Sequence, residues 1–142
     1  MKKHILIIIF LFSIITCYSQ EEEYENLFMA IDKITEQEKF QNFCDNVEDL
    51  TLYVLVDSLN NHEHFIKTYA HKEIIITSIY YLFWINTNER RTLENVLFSI
   101  NNNEIILEFK LISSSIVDCK YILKKRGNSW KIKSEKLTVI DE

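Results

Sequence analysis

Three of the four histidines fall close together: His62-Glu63-His64, then His71 seven residues further on. Imidazole is a common metal ligand, and an H-x-H pair on a strand presents both rings on one face. On a helix the same two rings lie about 200° apart and cannot converge on one ion. Phe65, Ile66 and Tyr69 share one face at helical spacing, so 62–69 reads as a short helix. The three histidines then become exposed polar residues beside a turn. No metal centre and no cofactor are expected, with His62, His64 and His71 as the residues on which a metal would have to depend.

Other chemistry finds less support. Gly127 is the single glycine, so neither a phosphate-cradling loop nor a dinucleotide turn can form, and there is no G-x-S-x-G. Asp45, Glu48 and Asp49 could perform acid–base work, but their spacing suits a solvated helix face. Tyr80, Tyr81, Phe83, Trp84 and Trp130 could line a pocket, yet aromatics in a buried strand usually form core. Catalytic and ligand-binding residues stay unassigned at this level.

Cys44 and Cys119 have no context that marks a catalytic thiol. The compartment bears on them. Met1-Lys2-Lys3-His4 is a basic start, and Ile5–Ile15 is apolar except for Ser13. As a helix that run spans roughly 16 Å, about half of a bilayer's hydrocarbon core. Glu21-Glu22-Glu23 follows directly. This is the layout of a secretory signal peptide over 1–19, with a single domain over 20–142, and no transmembrane helix in the mature chain. Cleavage after Ser19 puts Cys17 and Ser19 at the −3 and −1 positions. The alternative is a lipobox-like Ile14-Ile15-Thr16-Cys17, acylated at Cys17 to give a membrane-anchored lipoprotein, although Thr16 departs from the Gly, Ala or Ser usual there. After cleavage Cys44 and Cys119 remain, either as one disulfide or as two buried thiols.

Around these residues the chain changes character once, near residue 72. Tyr24, Leu27, Phe28, Ile31 and Ile34 form one helical stripe, with Glu21, Glu22, Glu23 and Glu25 in the first turn where the helix dipole favours them. Phe40, Phe43, Val47 and Leu50 repeat the spacing in a second helix, and 52–59 fits either a strand or a helix end. Beyond Lys72, 74–85 reads as a buried strand. Val96, Phe98 and Ile100 alternate, as do Ile105, Leu107, Phe109 and Leu111, and then Cys119, Tyr121 and Leu123. Arg126-Gly127-Asn128 closes a hairpin into Trp130 and Ile132. The expected fold is α+β: two or three N-terminal helices packed on a C-terminal curved antiparallel sheet of about four strands.

Net charge is −5 over 142 residues, and loss of Lys2 and Lys3 takes it to −7. An acidic chain is a poor partner for nucleic acid, whose phosphates need clustered Lys and Arg. The charge is divided. Residues 20–60 hold eleven acids against Lys33 and Lys39, while 105–136 hold eight bases against three acids. Solvent-facing lysines on strands account for the basic half and discourage edge pairing.

Residues 93–133 resemble the closing meander of small exported bacterial proteins with a cystatin-like or nuclear-transport-factor-like fold. The resemblance is carried by Glu104-Ile105-Ile106-Leu107-Glu108-Phe109 and by Cys119 through Ile132, with its Tyr strand, basic Gly turn and Trp-Lys-hydrophobic strand. It implies a sheet wrapped around helices as a cone, which hosts enzymes in some members and binding pockets in others. No acid–base pair of the enzymes maps onto this chain, and the Q-x-V-x-G loop of cystatin-type inhibitors is absent. The expected function is therefore an exported, non-catalytic binding or interaction module for an unknown protein or small molecule, periplasmic or secreted. The alternative is a small hydrolase or isomerase with His62, His64 or His71 as base.

Overall fold

The computed structural model describes residues 22–44, 49–57, 59, 63–78 and 91–140. Residues 1–21 with Cys17, the acids Asp45 and Glu48, His62 and the aromatics at 80–84 lie outside the described residues.

Among the described residues seven strands make one mixed sheet. They are β1 (Leu50–Leu55), β2 (His64–Tyr69), β3 (Lys72–Thr77), β4 (Arg91–Asn101), β5 (Glu104–Ile112), β6 (Ile116–Arg126) and β7 (Ser129–Val139). Their order across the sheet is β2-β3-β1-β4-β5-β6-β7. The described helices are α1 (22–35) and the short α2 (Glu38–Phe43). This corrects the expected architecture of two or three helices on a four-stranded sheet, because the first half of the chain contributes three strands of its own. The predicted second helix stops at Phe43, and Leu50 opens β1 instead. The predicted third helix is β2, paired antiparallel with β3 from His64↔Thr77 to Tyr69↔Lys72. Pairing with a β-branched neighbour (Ile74, Ile75, Ile76) outweighs a helical spacing only eight residues long. The strand predicted over 74–85 ends at Thr77 among the described residues.

β1 runs parallel to both β3 and β4, so it is the hub of the sheet. Parallel neighbours require a crossover rather than a hairpin. From β4 onward the chain is an antiparallel meander. Burial follows the pleat in β5, where Ile105, Leu107, Phe109 and Leu111 are buried and their neighbours are half-exposed.

The stripe Tyr24, Leu27, Phe28, Ile31 and Ile34 buries α1 on one face of the sheet, against Leu52, Val54, Ile74, Ile76 and the meander's inward residues. Tyr53, Leu55 and Ile75 form a small second cluster; they alternate with the first set along β1 and β3 and so point to the opposite face. α2 is held by Phe40, fully buried, whose ring meets Phe109 edge-on at 6.3 Å; Phe109 stacks on Tyr121 at 6.0 Å. The carbonyl of Phe43 accepts the Ser113 hydroxyl at 2.7 Å, and that of Cys44 accepts Arg91 Nε at 3.0 Å. The last carbonyls of α2 therefore find side-chain donors from the meander.

Gly127 has φ +61° in the β6–β7 turn, and beyond its own chain neighbours no atom lies within 4 Å of where a Cβ would stand. Space is not the constraint there; backbone handedness is. Gly127→Ala is expected to cost roughly 1–2 kcal/mol, and Gly127→Asn less, because Asn tolerates the left-handed region. Urea unfolding of the two variants checks the ranking.

Candidate functional site

The C-terminal end of α1 is where polar side chains converge. A helix end leaves four carbonyls without intrahelical donors, and with no glycine or proline nearby the chain must supply donors from side chains. The Thr35 hydroxyl donates to the Asp32 carbonyl at 2.7 Å, and Gln37 Nε2 to that of Lys33 at 3.2 Å. The Gln37 N–H donates to the Ile34 carbonyl at 3.0 Å, and Gln41 Nε2 to that of Thr35 at 3.0 Å. All four are satisfied.

Lys72 completes this arrangement from the first residue of β3. Its Nζ lies 2.6 Å from Asp32 Oδ1, 2.8 Å from Thr35 Oγ1 and 3.4 Å from the Asp32 carbonyl. A cation at a helix C-terminus is favoured by the dipole. Nζ also sits 5.4 Å from the centre of the Tyr69 ring. Burial, and after it the Asp32 carboxylate, push the Tyr69 phenol above its ordinary pKa, so it is a hydrogen-bond donor at neutral pH.

These groups border an open cleft of about 560 Å³ between the end of α1, α2 and the β2–β3 turn. Its polar lining includes Glu36, Gln41, Tyr69 and His71, over Leu50 and Ala70. The size falls within the range of small-molecule pockets, roughly 300–1,000 Å³. The Lys72 ammonium has three N–H donors, and three acceptors of the same helix end surround it. Its role is to join α1 to β3. Lys72→Met is expected to lose roughly 1–3 kcal/mol, because a partly buried carboxylate is left unpaired. A double-mutant cycle with Asp32→Asn, read by denaturant unfolding, isolates the pair.

The candidate histidines do not assemble. His64 opens β2 and His71 lies in the turn at its other end; six residues of strand separate their positions by roughly 20 Å. One ion cannot bridge them. His71 Nδ1 is 3.9 Å from Asp49 Oδ1, but both side chains are more than four-fifths exposed, which makes this a surface pair. Among the described residues no group of three or more His, Cys, Asp or Glu is placed to hold a metal ion. Cys44 and Cys119 are buried within the same core and are not joined in a disulfide. Trp130 packs partly buried against that core. Lys72, Thr35 and Tyr69, which build the cleft, were not marked by sequence, because each acquires its partner only through the fold.

A second groove of about 720 Å³ lies between the start of α1 and the far half of β4, lined by Tyr24, Leu27, Val56, Val96 and Phe98 together with the acids Glu23 and Glu108. No described helix is long and apolar enough to cross a membrane. No family model matches this chain, and neither a curated protein nor a solved structure matches it.

Proposed function

We propose that the protein is an exported, non-catalytic binding module that takes a small polar ligand in the cleft beside Tyr69. The observation that carries the reading is the state of the interior. The space between α1 and the sheet is filled by leucine, isoleucine and phenylalanine side chains, and the described histidines lie on the surface. An enzyme reading needs a histidine beside a carboxylate in a deep pocket, and the His71–Asp49 pair is solvated.

The cleft offers recognition rather than reaction. Lys72 and Asp32 neutralise each other, which leaves Glu36, Gln41, Tyr69 and His71 to meet a ligand with hydrogen-bonding or cationic groups. Titration of the isotopically labelled protein with monosaccharides, amino acids and small amines at millimolar concentration tests this. Amide shifts concentrated at Thr35, Gln41 and residues 69–72, weakened by Tyr69→Phe, are expected. Shifts nowhere in the cleft, or turnover of any probe, overturn the reading. Export is checked separately by the mass of the exported protein's N-terminus: Gln20 is expected, and a diacylglyceryl Cys17 identifies the lipoprotein form.

A further inference from the structure

Among the described residues the sheet has three places where an edge faces outward, and the chain treats them differently. β7 is an outer edge with Lys131, Lys133 and Lys136 along it and a break in register opposite Ile122/Leu123. Lysines and bulges are standard guards against edge-to-edge pairing. β2, the other outer edge, has only six residues and includes His64 and Lys67.

The third edge is internal. β1 accompanies β4 only from Arg91 to Leu93, whereas β5 follows β4 to Asn101. A register shift between Glu94 and Leu97, with Asn95 at φ +53°, turns the far half of β4 away from β1. Residues 95–101 therefore have a strand on one side and, among the described residues, none on the other. Beyond that shift the stretch carries no charged guard. From Asn95 to Asn103 there is no charged residue, and Leu97 and Ile100 are 67% and 44% exposed. The second groove runs beside it.

We infer that the free half of β4 pairs antiparallel with the same segment of a second copy, joining two sheets into one across a two-fold axis. Three features favour a second copy over a foreign strand. An uncharged segment meets itself with no like charges opposed. Pairing about Ser99 sets Ile100 of one copy opposite Phe98 of the other, on the face where Tyr24 and Leu27 line the groove, and Leu97 opposite Asn101 on the other face. The charge along the strand is also polar. Glu23 of α1 lies in the groove beside Val96–Ser99, and at the end of the strand Lys124, Lys125 and Arg126 adjoin the β4–β5 turn, where the Lys125 N–H donates to the Asn103 carbonyl at 2.9 Å. Antiparallel pairing brings the acidic end of each copy toward the basic end of the other, while parallel pairing sets like beside like. The interface is isologous, which closes at two copies.

Sedimentation equilibrium of the purified protein from micromolar to millimolar concentration is expected to give a dimer. Leu97→Lys should raise the dissociation constant at least tenfold (about 1.4 kcal/mol). Its denaturation midpoint at low concentration should stay unchanged, because Leu97 is exposed in the single copy. Lys133→Ser on β7 should leave association as it is. A nitroxide at Ser99 should report an intermolecular distance below roughly 20 Å, and one at Thr138 on β7 a distance above roughly 30 Å, seven strand spacings away. A protein monomeric at 1 mM overturns the inference and leaves a foreign strand as the occupant of this edge. A dimer insensitive to Leu97→Lys, or one with the shorter distance at Thr138, overturns it equally. None of these outcomes bears on ligand binding in the cleft, which lies at the other end of α1.

Discussion

Phe109→Ala is expected to lower the unfolding free energy by about 3–5 kcal/mol, a large part of the stability of a chain this size. The size of the effect comes from position. Phe109 is 4% exposed and stands between two aromatic partners, with Phe40 edge-on at 6.3 Å and Tyr121 stacked at 6.0 Å. Truncation removes the transfer energy of a large side chain, leaves a cavity at the centre of the meander and breaks two ring contacts worth roughly 0.5–1.5 kcal/mol each. It also strips α2 of its base, since Phe40 is the only fully buried side chain of that six-residue helix. Two separable signals should follow. The global midpoint in urea falls, and hydrogen exchange at 40–44 accelerates by more than global stability alone requires. Phe109→Leu retains most of the volume and should recover over half of the loss. A Phe109→Ala variant within 1 kcal/mol of the parent would mean that the three rings do not form a packed unit.

How much of this was legible beforehand depended on where each residue finds its partners. α1 was legible because its stripe is long and regular, and Tyr24, Leu27, Phe28, Ile31 and Ile34 need only one apolar surface to lie on. Residues 105–111 were legible for the corresponding reason at period two. Residues 64–69 were not: Phe65, Ile66 and Tyr69 satisfy a helical face, yet pairing with Ile74–Ile76 decides for a strand, and no local feature announces that pairing. The same limit hid the cleft. Lys72 meets Thr35 across 37 positions of sequence, so the capping of α1 is written in a lysine that in sequence looks like the start of a strand. The free half of β4 did leave a trace, the long uncharged run from Asn95 to Asn103, but its meaning required knowing that β1 stops alongside Leu93.

Raising the pH from 8 to 11 is expected to remove about 4 kcal/mol of stability, and two buried groups on β6 account for it. Burial pushes the Cys119 thiol up to about 12 from an ordinary 9.0. It pushes the Tyr121 phenol up still further from 10.0, with the neighbouring Cys119 and Glu135 adding to the shift. The side chains are 3% and 0% exposed, so the folded protein holds both protons where the unfolded chain releases them. The sign follows directly: between the unfolded and folded pKa the native state binds more protons, and stability falls as pH rises. Below pH 9 the stabilisation is complete. From 9 upward Cys119 contributes a loss of about 1.4 kcal/mol per pH unit, and from 10 Tyr121 contributes the same. Urea midpoints measured at half-unit intervals from pH 7 to 11 should show a plateau, a break near 9 and a steeper fall above 10. Cys119→Ala should abolish the first break, at the cost of a small cavity. Tyr121→Phe should abolish the second with little loss at pH 7, about 1 kcal/mol or less, because the Tyr121 hydroxyl is buried without a hydrogen-bond partner in the protein. The same burial keeps Cys119 as a thiol at pH 8, so native protein should react with a disulfide reagent only as fast as it opens. A flat stability profile to pH 11, or a Cys119 that reacts as rapidly as a free thiol, would show that the interior between α2 and β6 admits water.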